Sequence, residues 1–299
     1  MKQKKQLHMK EKMILLRSKF PKRESITGMI CLLVTTIFIM NTGCSTDDTQ
    51  TVVNFTKLSM QDEFDTDGAP NSSIWGYDIG TGNNGWGNSE LQYYTDRPEN
   101  VTINNGVMII TAREESFQGA GYTSARLITK GKFEQTYGRF EARIRVPYGQ
   151  GMWPAFWMLG VEDSPTEIWP FIGEIDIMEM RGQEPTKLIG SLHGPGYSAG
   201  QAISKEYILQ NDRLDTRFHV YGIEWGPDYV NYYIDDVLYN QITPEDLPDG
   251  AEWVFDNDFY ILINLAVGGT FVGSPNAETV FPQTMLVDYV RVYEYNGLN

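Results

Sequence analysis

The sequence predicts an all-β protein, a jelly-roll sandwich of two antiparallel sheets, and three observations carry that expectation. Short β-rich runs recur every 8–15 residues from about Phe55 to Tyr295. Turn signals such as "NNG", "PYGQG", "GPD" and "LPDG" separate them. Helical periodicity over a dozen residues is convincing nowhere. Many short strands without intervening helices bury their apolar faces by packing sheet on sheet.

The runs justify themselves in order. "GVMIITAR" (106–113) opens the series and "GRFEARIRV" (138–146) follows, with Phe140, Ala142, Ile144 and Val146 on one face and the charged residues on the other. "KLIGSLHG" (187–194), "FHVYGIEW" (218–225), "YVNYYIDDVLY" (229–239), "FYILINLAVGG" (259–269) and "MLVDYVRVYEY" (285–295) complete it. No low-complexity segment, charge block or internal repeat interrupts these runs.

The first 43 residues read as an export signal rather than as fold. Residues 1–24 carry nine Lys/Arg and two acids, and "GMICLLVTTIFIM" (28–40) supplies an apolar core of 13 residues, short for a membrane span. "MNTGC" (40–44) then makes a small-residue approach to Cys44, similar to a bacterial lipoprotein cleavage site, although Asn41 stands where an apolar residue is usual. A non-cleaved anchor and plain secretion are the other readings. The expected organisation is a signal over 1–43, a polar tether over 44–54 after a lipidated Cys44, and a jelly-roll domain over 55–296. "STDDT" (45–49) resembles the surface-export signal of some outer-membrane lipoproteins. The only cysteines are Cys31 and Cys44, so the exported domain has no disulfide and depends on its core.

Charge excludes one class of partner. Of 24 basic and 39 acidic residues the leader holds nine and two, so 15 and 37 remain, a net charge near −22. That surface repels phosphate backbones and sulfated polymers, which argues against nucleic acid. With aromatics at 13%, an acidic exported domain suits a neutral polysaccharide.

The chemistry concentrates in "GEIDIMEMRG" (173–182). Glu174 and Asp176 share a strand face, whereas Glu179, five residues from Glu174, points the other way in a regular strand. A β-bulge within Asp176–Met178 brings all three acids to one side and leaves Ile175 and Met180 for the core. The two Glu Cα atoms then lie roughly 13 Å apart. Their side chains can lean together to about 5–6 Å, the spacing of a retaining glycosidase. Crowding raises the pKa of at least one carboxyl, as a general acid requires. The competing reading is a solvated acidic strand face.

The neighbours favour a sugar site. Trp153 and Trp169 suit stacking on pyranose rings, and Trp157, in a strongly apolar run, reads as core packing or as cleft. "GNNGWGNSELQYYT" (82–95) sets Trp86, Asn88 and Glu90 in a glycine-rich loop. His193 in "SLHGPGYSAG" is structural or lines the cleft.

From about Lys57 to Tyr295 these stretches resemble glycoside hydrolase family 16, in its endo-β-1,3-glucanase (laminarinase) branch. "GEIDIMEM" is similar to the bulged E-x-D-x-x-E signature, and "ELQYYT", "GMWPAFWML", "HGPGYS" and "VDYVRVY" follow the expected order. The resemblance implies a cleft on a concave sheet, Glu174 as nucleophile, Asp176 as its assisting carboxylate and Glu179 as acid/base. It implies sugar contacts by Trp153, Trp169, Asn88, Glu90, Arg126, His193 and Asn264, with Trp157 beside them. No cofactor is expected for catalysis. A structural calcium is expected at Asp288 with the backbone carbonyls of Glu63 and Gly106. The expected partner is a neutral β-glucan, the expected anchor a lipid, and the expected state a monomer. Mixed-linkage glucan, marine galactan and catalysis-free glucan binding are the alternatives.

Overall fold

The computed structural model describes residues 55–162 and 168–297. The signal, Cys44 and the tether lie outside the described residues. Strands are numbered in chain order. A seven-stranded sheet holds β2 (Gly76–Tyr77), β7 (Arg126–Ile128), β9 (Met152–Gly160), β10 (Glu174–Glu179), β11 (Lys187–His193), β12 (Ile203–Ile208) and β16 (Phe259–Val267). Its spatial order is β12-β11-β10-β9-β16-β7-β2.

The ten-stranded sheet contains β1 (Leu58–Asp62), β3 (Gln92–Tyr94), β4 (Val101–Asn104), β5 (Val107–Phe117) and β6 (Ala120–Ser124). It continues with β8 (Gly138–Arg145), β13 (His219–Gly226), β14 (Tyr229–Ile234), β15 (Val237–Ile242) and β17 (Gln283–Tyr293). Among the described residues all ladders are antiparallel except the short β3–β6 pair. The expected two-sheet architecture is present.

Period-2 patterning explains which faces meet. In β8, Phe140, Ala142 and Ile144 are fully buried while Arg139, Arg143 and Arg145 stay partly exposed. Opposite them, Ile261, Ile263 and Leu265 of β16 close the core, and Trp225, Trp75 and Phe255 are buried in the same cluster. Each fully buried aromatic of this kind contributes about 3 kcal/mol of burial free energy.

Two features position β10, the strand that carries the three acids. A Cβ on Gly160, at the end of β9, would meet the Ile172 carbonyl oxygen at 1.8 Å, so only glycine lets the returning chain pass that closely. Gly173 then turns the chain into β10 with φ at 76°. "YVNYYIDDVLY" is two strands rather than one: Asp235 and Asp236 both take positive φ, 47° and 63°, and close a β14–β15 hairpin.

Candidate active site

A bulge sets the geometry of the acids. Against β9, Glu174 faces Leu159 and Asp176 faces Trp157; the register then slips, so that Met178 faces Phe156 and Glu179 faces Ala155. The cause is legible in the chain. Ile177 and Met178 are consecutive apolar residues, and both reach the core, at 0% exposure, only if the pleat shifts by one. Ile175 and Met180 are equally buried. Glu174, Asp176 and Glu179 therefore line one cleft of about 1420 Å³ on the seven-stranded sheet.

Electrostatics make this group unlike a solvated strand face. Their burial pushes Glu174 up to about 8, Asp176 to about 7 and Glu179 to about 8, with repulsion by Asp176 the second cause for both glutamates. Trp153 Nε1 donates to Glu179 Oε1 at 2.9 Å and opposes that rise. His193 Nε2 stands 2.9 Å from Asp176 Oδ2 and 3.8 Å from Glu174 Oε1.

The remaining expected residues converge on the same cleft. Trp157, left open between core and cleft, is half-buried on the cleft wall, and its Nε1 donates to Asn264 Oδ1 at 2.7 Å. Asn264 in turn donates to the Tyr94 hydroxyl at 3.1 Å, and Tyr94 donates to Glu90 Oε2 at 3.0 Å. Gln92 and Asn88 also donate to Glu90, at 2.7 and 3.4 Å, yet burial still holds its carboxyl above the ordinary range. Arg126 is stacked between the rings of Trp86 and Trp157, 4.6 and 4.8 Å from their centroids, and pairs with Asp78 at 2.9 Å. Trp169 is 40% exposed at the cleft edge, its ring centroid 6.2 Å from that of His193.

The loop bearing Trp86 and Asn88 is locally strained. Asn84, Gly85, Trp86, Gly87 and Ser89 all have positive φ, which for a tryptophan costs on the order of 1–2 kcal/mol. The Arg126 stack, the Tyr94 ring and the Asn88 carbonyl, which accepts from Thr270 N at 2.8 Å, hold it in place.

Sequence reasoning missed Phe271 and Arg181. The Phe271 ring lies 5.0 Å from that of Trp153, and Arg181 stacks on Phe271 at 4.2 Å while its Nε donates to the Phe271 carbonyl at 3.1 Å. The glycine-rich flank "VGGTFVG" was the available signal, the same kind that marked the Trp86 loop.

The expected metal residues sit on the other sheet. Asp288 is at a bulge in β17, where the register against β8 slips between Val287 and Tyr289. Asp62 pairs with Val290 and Met108 with Val287, so the chain at Glu63 and Gly106 reaches the same stretch of β17. The side chains are committed elsewhere: Arg143 Nη1 donates to Asp288 Oδ2 at 2.6 Å, and Arg291 grips both oxygens of Glu63 at 2.7 and 2.9 Å.

The chain is similar to known proteins in sequence and in fold. The model of glycosyl hydrolases family 16 matches residues 88–284. The chain is 44% identical to a β-glucanase of Rhodothermus marinus over 80% of this chain and 85% of that protein. It superposes on the laminarinase catalytic domain of Thermotoga petrophila with a TM-score of 0.77, at 44% identity over 82% of this chain and 100% of that one. An endo-β-1,3-glucanase from Pyrococcus furiosus gives 0.76, at 45% identity over 81% and 95%. The matched span includes the bulged acidic strand, and the chain belongs to glycosyl hydrolases family 16.

Proposed function

We propose that this glycoside hydrolase cleaves β-1,3-glucan internally and with retention of anomeric configuration. The observation that carries the reading is the bulge that gathers Glu174, Asp176 and Glu179 in an aromatic-walled cleft. The likeness to laminarinases supports the choice of glucan.

The residues divide the work by environment. Glu174, once ionised, attacks the anomeric carbon while Glu179 gives its proton to the departing glycosidic oxygen; the C–O bond to the leaving sugar breaks and a glycosyl ester forms. Glu179, now a carboxylate, takes a proton from water, whose oxygen attacks the anomeric carbon and releases Glu174. Asp176, beside Glu174 and 5% exposed, shares the proton of the pair and keeps one oxygen of Glu174 free to attack. Trp153, Trp157 and Trp169 offer ring faces to the sugars, and the Asn264–Tyr94–Glu90 chain offers fixed polar edges.

Reducing-end release by the purified chain from laminarin, mixed-linkage glucan, agarose and carrageenan tests this. Release from laminarin is expected. Release from a galactan alone moves the substrate, and silence on all four overturns catalysis in favour of glucan binding.

The chain's leader and Cys44 support export as an outer-membrane lipoprotein acting on polymer at the cell surface. Labelled palmitate incorporation that Cys44→Ala abolishes is the expected result; incorporation that survives the change contradicts the anchor. A structural calcium at Asp288 and the carbonyls of Glu63 and Gly106 fits hard-cation chemistry, with Arg143 as its competitor for the carboxylate. Calcium is expected to raise Tm over EDTA in the native chain and not in Asp288→Asn; equal Tm in both buffers removes the site.

A further inference from the structure

The loop leaving β11 folds back on that strand's last residue. Gly194 and Tyr197 exchange both backbone hydrogen bonds, at 3.1 and 3.0 Å. Tyr197 is fully buried and its hydroxyl donates to the Glu252 carbonyl at 2.7 Å, which anchors the turn. Ala199 follows at φ 51°, and its N–H donates to His193 Nδ1, 3.1 Å away. A backbone N–H can only donate. Nδ1 must therefore present its lone pair, and the ring of a neutral histidine carries its proton on Nε2. Nε2 is the nitrogen that faces the acids, 2.9 Å from Asp176 Oδ2.

We infer that the Gly194–Ala202 loop locks His193 in its neutral, Nε2-protonated tautomer, making it a fixed donor that positions the proton shared by Glu174 and Asp176. The catalytic consequence rests on the retaining reading of the site. The Glu174–Asp176 pair can attack only after losing one of its two protons. A donor fixed beside Asp176 stabilises the singly ionised pair, so the pair reaches that state at lower pH. Among the described residues Oδ2 is buried and has no other donor; the Nε2 proton lies off its ideal line, as catalytic hydrogen bonds often do before substrate tightens them.

The same bond decides against another use of these groups. Glu174, Asp176 and His193 offer atoms within 4.8 Å of one another, a spacing that suits a cation. Coordination would need a bare Nε2 and put the proton on Nδ1, directly against the Ala199 N–H. His193 is thus a positioning residue rather than a ligand. The other ionisable groups that bear on the pair are Glu179, Tyr232 from the opposite sheet and Tyr260 of β16, with Arg181 beside Glu179.

Two measurements test the lock. The chain has three histidines, His8, His193 and His219, so a histidine-selective nitrogen–proton spectrum of the full protein assigns His193 by its loss in His193→Asn. A protonated Nε2 and a bare Nδ1 are expected near neutral pH; a proton on Nδ1 overturns the inference. This spectrum needs no substrate, so its failure is distinct from failure of the hydrolase reading. In the second, His193→Gln places an amide N–H near the Nε2 position, whereas His193→Asn keeps an acceptor for Ala199 but has no donor reaching Asp176. The acid limb of kcat/KM should stay near native in the Gln variant and move up by about 1 pH unit in the Asn variant, a roughly tenfold loss below the limb. Equal shifts in the two variants, or none in Asn, contradict the lock.

Discussion

Replacing Glu174 by Gln should abolish turnover and, at neutral pH, make the protein more stable. Glu174 is only 17% exposed, and its carboxyl is held up to about 8 against an ordinary 4.5. At pH 7 the native state therefore keeps a proton that the unfolded chain has lost. The ceiling on that cost is ~3 kcal/mol. Asp176 and Glu179 repel the same charge, so part of the relief is shared among them, and a net gain of ~1–2 kcal/mol is expected for Gln, which fills the same volume without a charge to bury. In a domain of this size that is a Tm rise of about 4 °C.

The pH dependence gives the test its sign. Below about 4.5 both states of the native protein are protonated at Glu174 and the variant gains nothing. As pH rises from 4.5 towards 8, unfolding releases a proton, native stability falls, and the difference between the proteins widens. Calorimetry of both from pH 4.5 to 8 reads this directly. A Tm difference that does not grow with pH, or a Gln variant less stable at pH 7.5, refutes the claim that burial strains this carboxyl.

Glu179→Gln should slow glucan hydrolysis by about 100-fold or more while sparing aryl glycosides whose leaving groups need no proton; equal slowing of both substrates removes the acid role. Trp153→Phe deletes the donor at 2.9 Å that opposes the raised pKa of Glu179. Its basic limb should then move to higher pH by up to about 1 unit with a lower kcat, and a limb moving to lower pH contradicts the assigned direction.

The acidic strand was legible because its sequence breaks its own pattern. Alternation holds through Asp176, and the adjacent pair Ile177–Met178 can be buried together only by a bulge. The cleft walls were legible where tryptophans or glycine-rich loops marked them. Asp235–Asp236 escaped notice as a turn, since a type I′ hairpin usually announces itself with Asn-Gly and here two aspartates take the left-handed conformation inside a β-rich run. Phe271 and Arg181 escaped because a single aromatic and a single cation acquire a cleft role only through packing with Trp153, which lies over a hundred residues from Phe271 in sequence. The two-residue strand β2 carries too little pattern for any period to show.

The central claim is double displacement through Glu174. Proton NMR of laminarin hydrolysis, followed from the first minute, reads the anomeric configuration of the new reducing ends before they mutarotate. The account predicts the β-anomer first, with the α-anomer growing in afterwards; α-anomer as the first product would contradict it.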